Sequence, residues 1–486
     1  MIAVFNRRLY FLFVLFIILS IDLLGEIVDW QSLPDIFEGI LIVVLGLACL
    51  APVIIRLLQK RLDVFEPVYA FSLSTFVYFV VVPIFLIRDN AFYIEGINYH
   101  PEIKHVLMLA IMALLGFYWG YHWPQKVENQ KKPTNWNILN NLKWKHSLTR
   151  WSIILFGFFF GLVILWILTS RVPLRALWVI GQGSYGDPFL LASGLQIGYL
   201  YGARDALPAC LLLLFAAQIG GRWRIGLLPI LLVTIPLIIG DGVRSRIVIL
   251  VVSLFIFYYL QRQKRPSALL LLATVFFIYY LIVGGVGYYR SQTLNPAGLR
   301  VRGTENETFT LSEAWNTFFE GSQIVTSTAL LVRTFPQQIG YLRGISFLNV
   351  FIQPVPRFLW PDKPRMLGPD SLNYLWPLGT AAPFWSLFYV NFGSLGVILG
   401  MALWGYLSRC IYEAYRRNPI NPLTQMQLAV YFPFIIHAYG RGEFSLAFIL
   451  YGAIYVLAPI WLAGWWVRRE TRNLNMLKID GEARPL

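Results

Sequence analysis

Runs of about 17–23 consecutive apolar residues recur along this chain, and each is long enough to cross the hydrocarbon of a bilayer as a helix. They fall near 9–25, 36–55, 67–87, 105–122, 151–170, 203–220, 225–240, 247–260, 267–287, 383–407, 423–439 and 444–466, which makes about twelve spans. Charge is correspondingly scarce: 13% of the 486 residues are charged and 57% hydrophobic, where a soluble domain carries roughly 25% charged residues. The fold class is therefore an all-α polytopic membrane protein. The start, "MIAVFNRRLYFLFVLFIILSID", resembles a signal sequence but lacks a small-x-small cleavage site, so it reads as a retained first span.

Lysine and arginine should concentrate on alternate sides of such a chain. One set of intervals reads "RLLQKRLD", "VENQKKPTNWNILNNLKWKHSLTR", "GRWR", "QRQKRP", "YEAYRRN" and "RRETRN"; the alternate set opens with "GEIVDWQSLPDIFE", which has no cation. This places both termini in the cytosol. The net charge of +15 is accounted for by cytosolic loops facing anionic lipid, so no nucleic-acid partner is implied. Cys49, Cys210 and Cys410 lie in or beside apolar runs and suggest no disulfide framework.

The chain divides into three regions. Residues 1–287 form an N-terminal bundle of about nine spans that includes an outer loop at 171–202. Residues 288–382 form a large helical outer loop, and 383–486 hold the last spans and a cytosolic tail. Within the large loop, Glu313, Asn316, Glu320, Gln323 and Ser327 recur at three- and four-residue steps, so 311–335 should form a helix with a polar stripe at the interface or along a cavity. Further on, "FIQPVPRFLWPDKPRM" combines four prolines, three cations and a tryptophan. Proline fixes φ and removes donors, so this stretch should be a stiff lip presenting Arg357, Trp360 and Lys363.

Arginines on the outer side run against the positive-inside rule and so carry information. "GDGVRSR" (240–246) and "YGRGEF" (439–444) are short outer turns with the same glycine, arginine and acid chemistry. Arg244, Arg246, Arg441 and Glu443 can converge there on one anionic group, for which guanidinium forks suit phosphate oxygens. Near a membrane that group is a lipid phosphate or pyrophosphate. No HExxH, P-loop, GxSxG or paired CxxC is present, which leaves zinc protease, nucleotide hydrolase and serine hydrolase unsupported. No histidine lies in the large loop, so a base there is a carboxylate, with Glu320 the first candidate. No metal site is expected.

In order, "GDGVRSR", the glutamate-bearing loop helix, "YLRGISFLNVFIQPVPRFLWPDKPR", "PFWSLFYVNFGSLGVILGMALWGYLSR" and "YGRGEF" resemble the Wzy-type oligosaccharide repeat-unit polymerases, including O-antigen and enterobacterial common antigen polymerases. The likeness covers about 240–445. It implies a GT-C-like glycosyltransferase of the bacterial inner membrane, acting on the periplasmic face without a cofactor. Its substrate would be undecaprenyl-pyrophosphate-linked oligosaccharide, with the growing glycan joined to the non-reducing end of a new repeat unit. Carried over by position, Arg244, Arg441 and Glu320 are the catalytic candidates. Arg246, Arg290, Arg357, Trp360, Lys363 and Glu443 would bind pyrophosphate or sugar, and the resemblance implies that Trp315, Trp360, Trp376 and Trp385 offer flat faces to sugar rings. A chain-length-regulating co-polymerase and a flippase are the expected partners. The other readings are an O-antigen ligase, another lipid-linked glycosyltransferase, or a lipid-linked oligosaccharide flippase. A flippase should carry charge within its spans, whereas nearly all charge here lies at span ends.

Overall fold

The computed structural model describes residues 35–59, 62–88, 92–94, 97–123, 142–170, 198–217, 227–239, 244–277, 324–352, 355, 359–360, 362, 382–440 and 453–470. Every expected run except 9–25, which lies outside the described residues, carries a helix. In chain order these are α1 (Asp35–Leu58), α2 (Pro67–Phe76), joined through a π turn (Val77–Val81) to α3 (Val82–Arg88), α4 (Ile103–Tyr121), α5 (Leu142–Ser170), α6 (Gly198–Ala217), α7 (Leu227–Ile239), α8 (Arg244–Gln261) and α9 (Ala268–Phe277). Then come α10 (Ile324–Thr334), the short α11 (Asn349–Ile352), α12 (Trp385–Arg417), α13 (Pro422–Gly440) and α14 (453–470). The described β-structure is one two-stranded ribbon, Tyr93–Ile94 against Ile97–Asn98. Among the described residues five helices are long and apolar enough to cross a membrane: Ile36–Leu58, Pro67–Arg88, His100–Tyr121, Lys145–Leu168 and Trp385–Arg417.

The bundle has two polar ends. At one, Glu66 is buried and pairs with Arg56 (3.5 Å) and Arg409 (3.6 Å) while accepting the Tyr121 hydroxyl (3.0 Å). Asp63 pairs with Arg265 at 2.8 Å and accepts the Tyr412 hydroxyl at 2.9 Å, and Gln263 donates to the Pro419 carbonyl at 3.0 Å. The intervals "RLLQKRLD", "QRQKRP" and "YEAYRRN" are thus stitched together. The tail joins the same end through Arg150–Glu470 (3.3 Å) and the Ser147–Glu470 hydrogen bond. At the other end His100 meets the buried Glu38 at 3.1 Å, and Arg333 faces the buried Glu102 at 3.9 Å. Glu102 and Tyr121 bracket α4, about 28 Å apart at 1.5 Å per residue, close to a hydrocarbon thickness. Sequence intervals separated by charge count alone are separated in space.

Two helices that meet along this axis do so through bare backbone. Gly116 of α4 faces the Ile398 carbonyl of α12, Gly120 faces the Ala402 carbonyl, and Gly405 of α12 faces the Phe117 carbonyl. A Cβ at any of them would overlap main-chain atoms, which cannot rotate away. Small residues permit this close approach between membrane helices, where van der Waals packing drives association. By contrast, Gly39 and Gly157 would meet nothing within 4 Å.

Gly120→Val should therefore remove most folded protein from detergent extracts, whereas Gly157→Ala should leave its amount and melting temperature unchanged or slightly raised; size-exclusion profiles and thermal melts compare them. Arg409→Ala leaves Glu66 buried with one partner fewer. It should destabilise by up to about 3 kcal/mol, because a broken buried pair leaves an uncompensated charge. Adding Glu66→Gln should recover part of the loss.

A candidate active site at a broken-helix apex

The hydropathy run at 383–407 reads as one straight span, but α12 is two arms. Gly393 has φ +68 and ψ −157, which no helix contains, and a residue without Cβ tolerates it. In a continuous helix Phe384 and Trp404 would stand about 30 Å apart. Their ring centroids are 3.9 Å apart. Phe388 likewise packs its ring on Gly400, and its carbonyl lies against Gly396. The arm 385–392 therefore folds back along the arm 394–417, and glycines at 396 and 400 make the smooth face that receives its phenylalanines, while Gly393 itself faces the Tyr341 ring. Trp385, at the foot of the short arm, is completely buried, with its ring 5.5 Å from Phe79. That corrects its expected role as a sugar platform: it fills the core where the short arm ends.

A break in a helix frees carbonyls that hydrocarbon cannot satisfy, so such backbone persists only where protein or a wet cavity covers it. Here the turn 341–346 supplies the donors. Leu342 N–H donates to the Val390 carbonyl and Arg343 N–H to the Asn391 carbonyl, both at 2.9 Å. The Asn391 side chain, fully buried, completes the clasp. Its Oδ1 accepts the Gly344 N–H (3.0 Å) and the Ser346 hydroxyl (3.0 Å), and its Nδ2 donates to the Leu387 carbonyl (2.7 Å) and lies 2.7 Å from Ser346 Oγ. Tyr389 donates from its hydroxyl to the Phe335 carbonyl at 2.9 Å, holding the end of α10 on the short arm. Two residues of the turn take left-handed backbone, Arg343 at φ 48 and Gly344 at φ 85. For Arg343 that costs roughly 1–2 kcal/mol.

The helices expected to carry the two arginine turns reach the same level as this apex. The Trp404 indole donates to the Tyr431 hydroxyl at 3.0 Å, which sets a shared height on α12 and α13. From there Gly393 is eleven residues up one helix and Gly440 nine residues up the other, about 16 and 14 Å along the axes. α8 packs against α13 in the opposite direction, with Gln425 Nε2 bonded to the Leu260 carbonyl at 3.3 Å. Sixteen residues back from Leu260, about 24 Å, the first turn of α8 holds the backbone of Arg244 and Arg246. Gly440 immediately precedes Arg441. The start of α8, the end of α13 and the apex of α12 thus occupy one end of the bundle.

Among the sequence candidates, Glu320, Arg441, Glu443, Arg290, Arg357 and Lys363 lie outside the described residues. Trp360 is exposed. Of the expected helix at 311–335, the described part, α10, is buried between α4 and α12 along all but Arg333; Ser327 is fully buried, because the groove beside the broken helix takes up the polar as well as the apolar side of α10. Arg204 is buried with its guanidinium 3.8 Å over the Trp166 ring, a desolvated cation–π contact of about 2 kcal/mol. Hydropathy and charge gave no warning of the clasp. Its signal was present as "NFG" followed by glycines at three- and four-residue steps, a pattern too bare for an ordinary span.

The class defined by these features is a polytopic all-α membrane protein built around a broken, folded-back helix with arginine-bearing helix ends beside it. The family model of the O-antigen polysaccharide polymerase Wzy matches residues 8–466, and the chain belongs to that family of membrane polymerases, which assemble O-antigen polysaccharide from repeat units. No curated protein and no solved structure matches the chain.

Asn391→Leu removes the acceptor of two donors and should lower the melting temperature, at about 1–3 kcal/mol for each buried group left unpaired. Gly393→Ala, forced to φ +68 against the Tyr341 ring, should do the same. Both should weaken glycan polymerisation in parallel with folded protein, as read from surface glycan on gels and from thermal melts.

Proposed function

We propose that the protein polymerises undecaprenyl-pyrophosphate-linked oligosaccharide repeat units at the periplasmic face of the bacterial inner membrane, with both termini cytosolic and about twelve spans in a GT-C-like arrangement. The observation that carries this reading is family membership together with the meeting of the α8 start, the α13 end and the α12 apex at the end opposite the cation-rich loops. A positive-inside orientation turns that end to the periplasm.

In the reaction, a sugar hydroxyl at the non-reducing end of a new repeat unit attacks the anomeric carbon of the growing glycan. The bond from that carbon to the diphosphate oxygen breaks, and undecaprenyl pyrophosphate leaves with the electron pair. The hydroxyl proton passes to the Glu320 carboxylate. Arg244 and Arg441 stabilise charge building on the diphosphate, so no metal ion is required. Arg246, Arg290, Arg357, Lys363 and Glu443 line the pyrophosphate and first sugars, with Trp360 as a stacking face. Removing one preorganised donor to a developing charge costs about 10²–10³ in rate. The repeat units arrive through a flippase, and a co-polymerase sets chain length.

Deleting the gene should abolish the glycan ladder while leaving a single repeat unit on the surface; loss of even that unit would indicate a ligase or flippase instead. Arg244→Ala and Glu320→Gln should each abolish the ladder at normal protein levels, and a wild-type ladder from either would remove that residue from the mechanism.

A further inference from the structure

We infer that Arg343, at the clasp, is a substrate-contacting cation that takes a phosphate of the polyprenyl diphosphate; the inference rests on the polymerase reading. Its backbone lies in left-handed space at φ 48, where a side chain is a liability and glycine the natural occupant. The next residue is a glycine in the same region, so a second one would fit without altering the turn. Strain of this kind persists where surrounding structure over-determines it, and it gathers at functional sites. Three hydrogen bonds impose it here: Arg343 N–H on the Asn391 carbonyl, Gly344 N–H on Asn391 Oδ1, and Leu342 N–H on the Val390 carbonyl.

No polar or ring contact among the described residues ties the side chain itself to the fold. The other described non-glycine residue at positive φ, Gln263, spends its amide on the Pro419 carbonyl at 3.0 Å. The Arg343 guanidinium is exposed and has no hydrogen bond, ion pair or ring contact among the described residues. The apex clamps its Cα at the level of the α8 start and the α13 end.

The residues just after Arg343 identify the ligand as lipid-borne. Ile345, Leu348 and Phe351 recur at three-residue steps and are exposed, Phe351 at 75%. An exposed apolar row beside an unpartnered, rigidly held cation matches a molecule with a hydrocarbon tail and a phosphate head. Bulk phospholipid shares that chemistry, but a headgroup anchor needs no strained backbone, and a lysine or arginine on any neighbouring flexible position would serve. The diphosphate of a polyprenyl carrier, which must be held in one place while its bond to sugar breaks, does need one.

The test uses Arg343→Gly and Arg343→Lys in cells lacking the chromosomal copy, alongside purified protein. Arg343→Gly should melt at or above the wild-type temperature and reach normal membrane levels, yet lose long glycan chains at least tenfold. Arg343→Lys should retain an intermediate ladder. In thermal-shift titrations the glycine variant should bind undecaprenyl diphosphate at least tenfold more weakly and phosphatidylglycerol unchanged. A wild-type ladder from Arg343→Gly overturns the inference, as does a lowered melting temperature, which would make the residue structural. Equal loss toward both lipids assigns it to headgroup anchoring and overturns it too. If deleting the gene leaves the ladder intact, the polymerase reading itself has failed; if wild-type and glycine variant both restore the ladder, only this inference has.

Discussion

The carbonyls freed where α12 turns back on itself at Gly393 have to be satisfied by the protein itself, and the whole apex is organised around that demand. The turn 341–346 answers it with backbone N–H groups, Asn391 fixes the turn from below, and Tyr389 fastens the end of α10 to the short arm. Each group at the apex is placed because another would otherwise be unsatisfied. The clasp therefore behaves as a fully connected polar network, rigid so long as every member is present.

Rigidity at this end is matched by a second network at the other. Glu66 and Asp63, both in the connection after α1, gather guanidinium groups from α1, from the α8–α9 connection and from α12. Between the two ends the packing is mostly apolar or bare backbone, pinned by a few hydroxyl and indole hydrogen bonds such as Trp404–Tyr431 and Ser72–Tyr118. Such a division suits catalysis at one face. The scaffold is cross-linked on the side away from the proposed site, and the helices bring their far ends to one level there.

Much of this was legible in the sequence. Apolar run lengths located the helices, and the alternation of lysine and arginine sorted the connections between two ends, which Asp63–Arg265 and Gln263–Pro419 then join in space. The order of motifs was enough to point to the family. What the sequence hid was depth. Hydropathy sees 383–407 as one span because a fold-back arm is as greasy as a straight one; the Gly393 backbone and the contacts of Phe384 with Trp404 and Phe388 with Gly400 distinguish them. For the same reason Trp385 looked like an outer aromatic and Ser327 like part of a stripe at the interface or along a cavity. Nothing in "YLRGIS" marks Arg343 as a residue at positive φ, because arginine, unlike glycine, does not signal that conformation.

The glycine seam between α4 and α12 carries a consequence for how the protein is made. Gly116 and its partner Ile398 are separated by roughly 280 residues, so α4 enters the bilayer long before the helix that covers it exists. At about 5–20 residues per second of synthesis, that notched surface waits on the order of 15–60 s against lipid or a temporary occupant. Biogenesis of this chain is thus a race between its own translation and whatever else in the membrane fits a groove of that width. Conditions that stall ribosomes late in the message should lengthen the interval in which the insertion intermediate is exposed to the wrong neighbour.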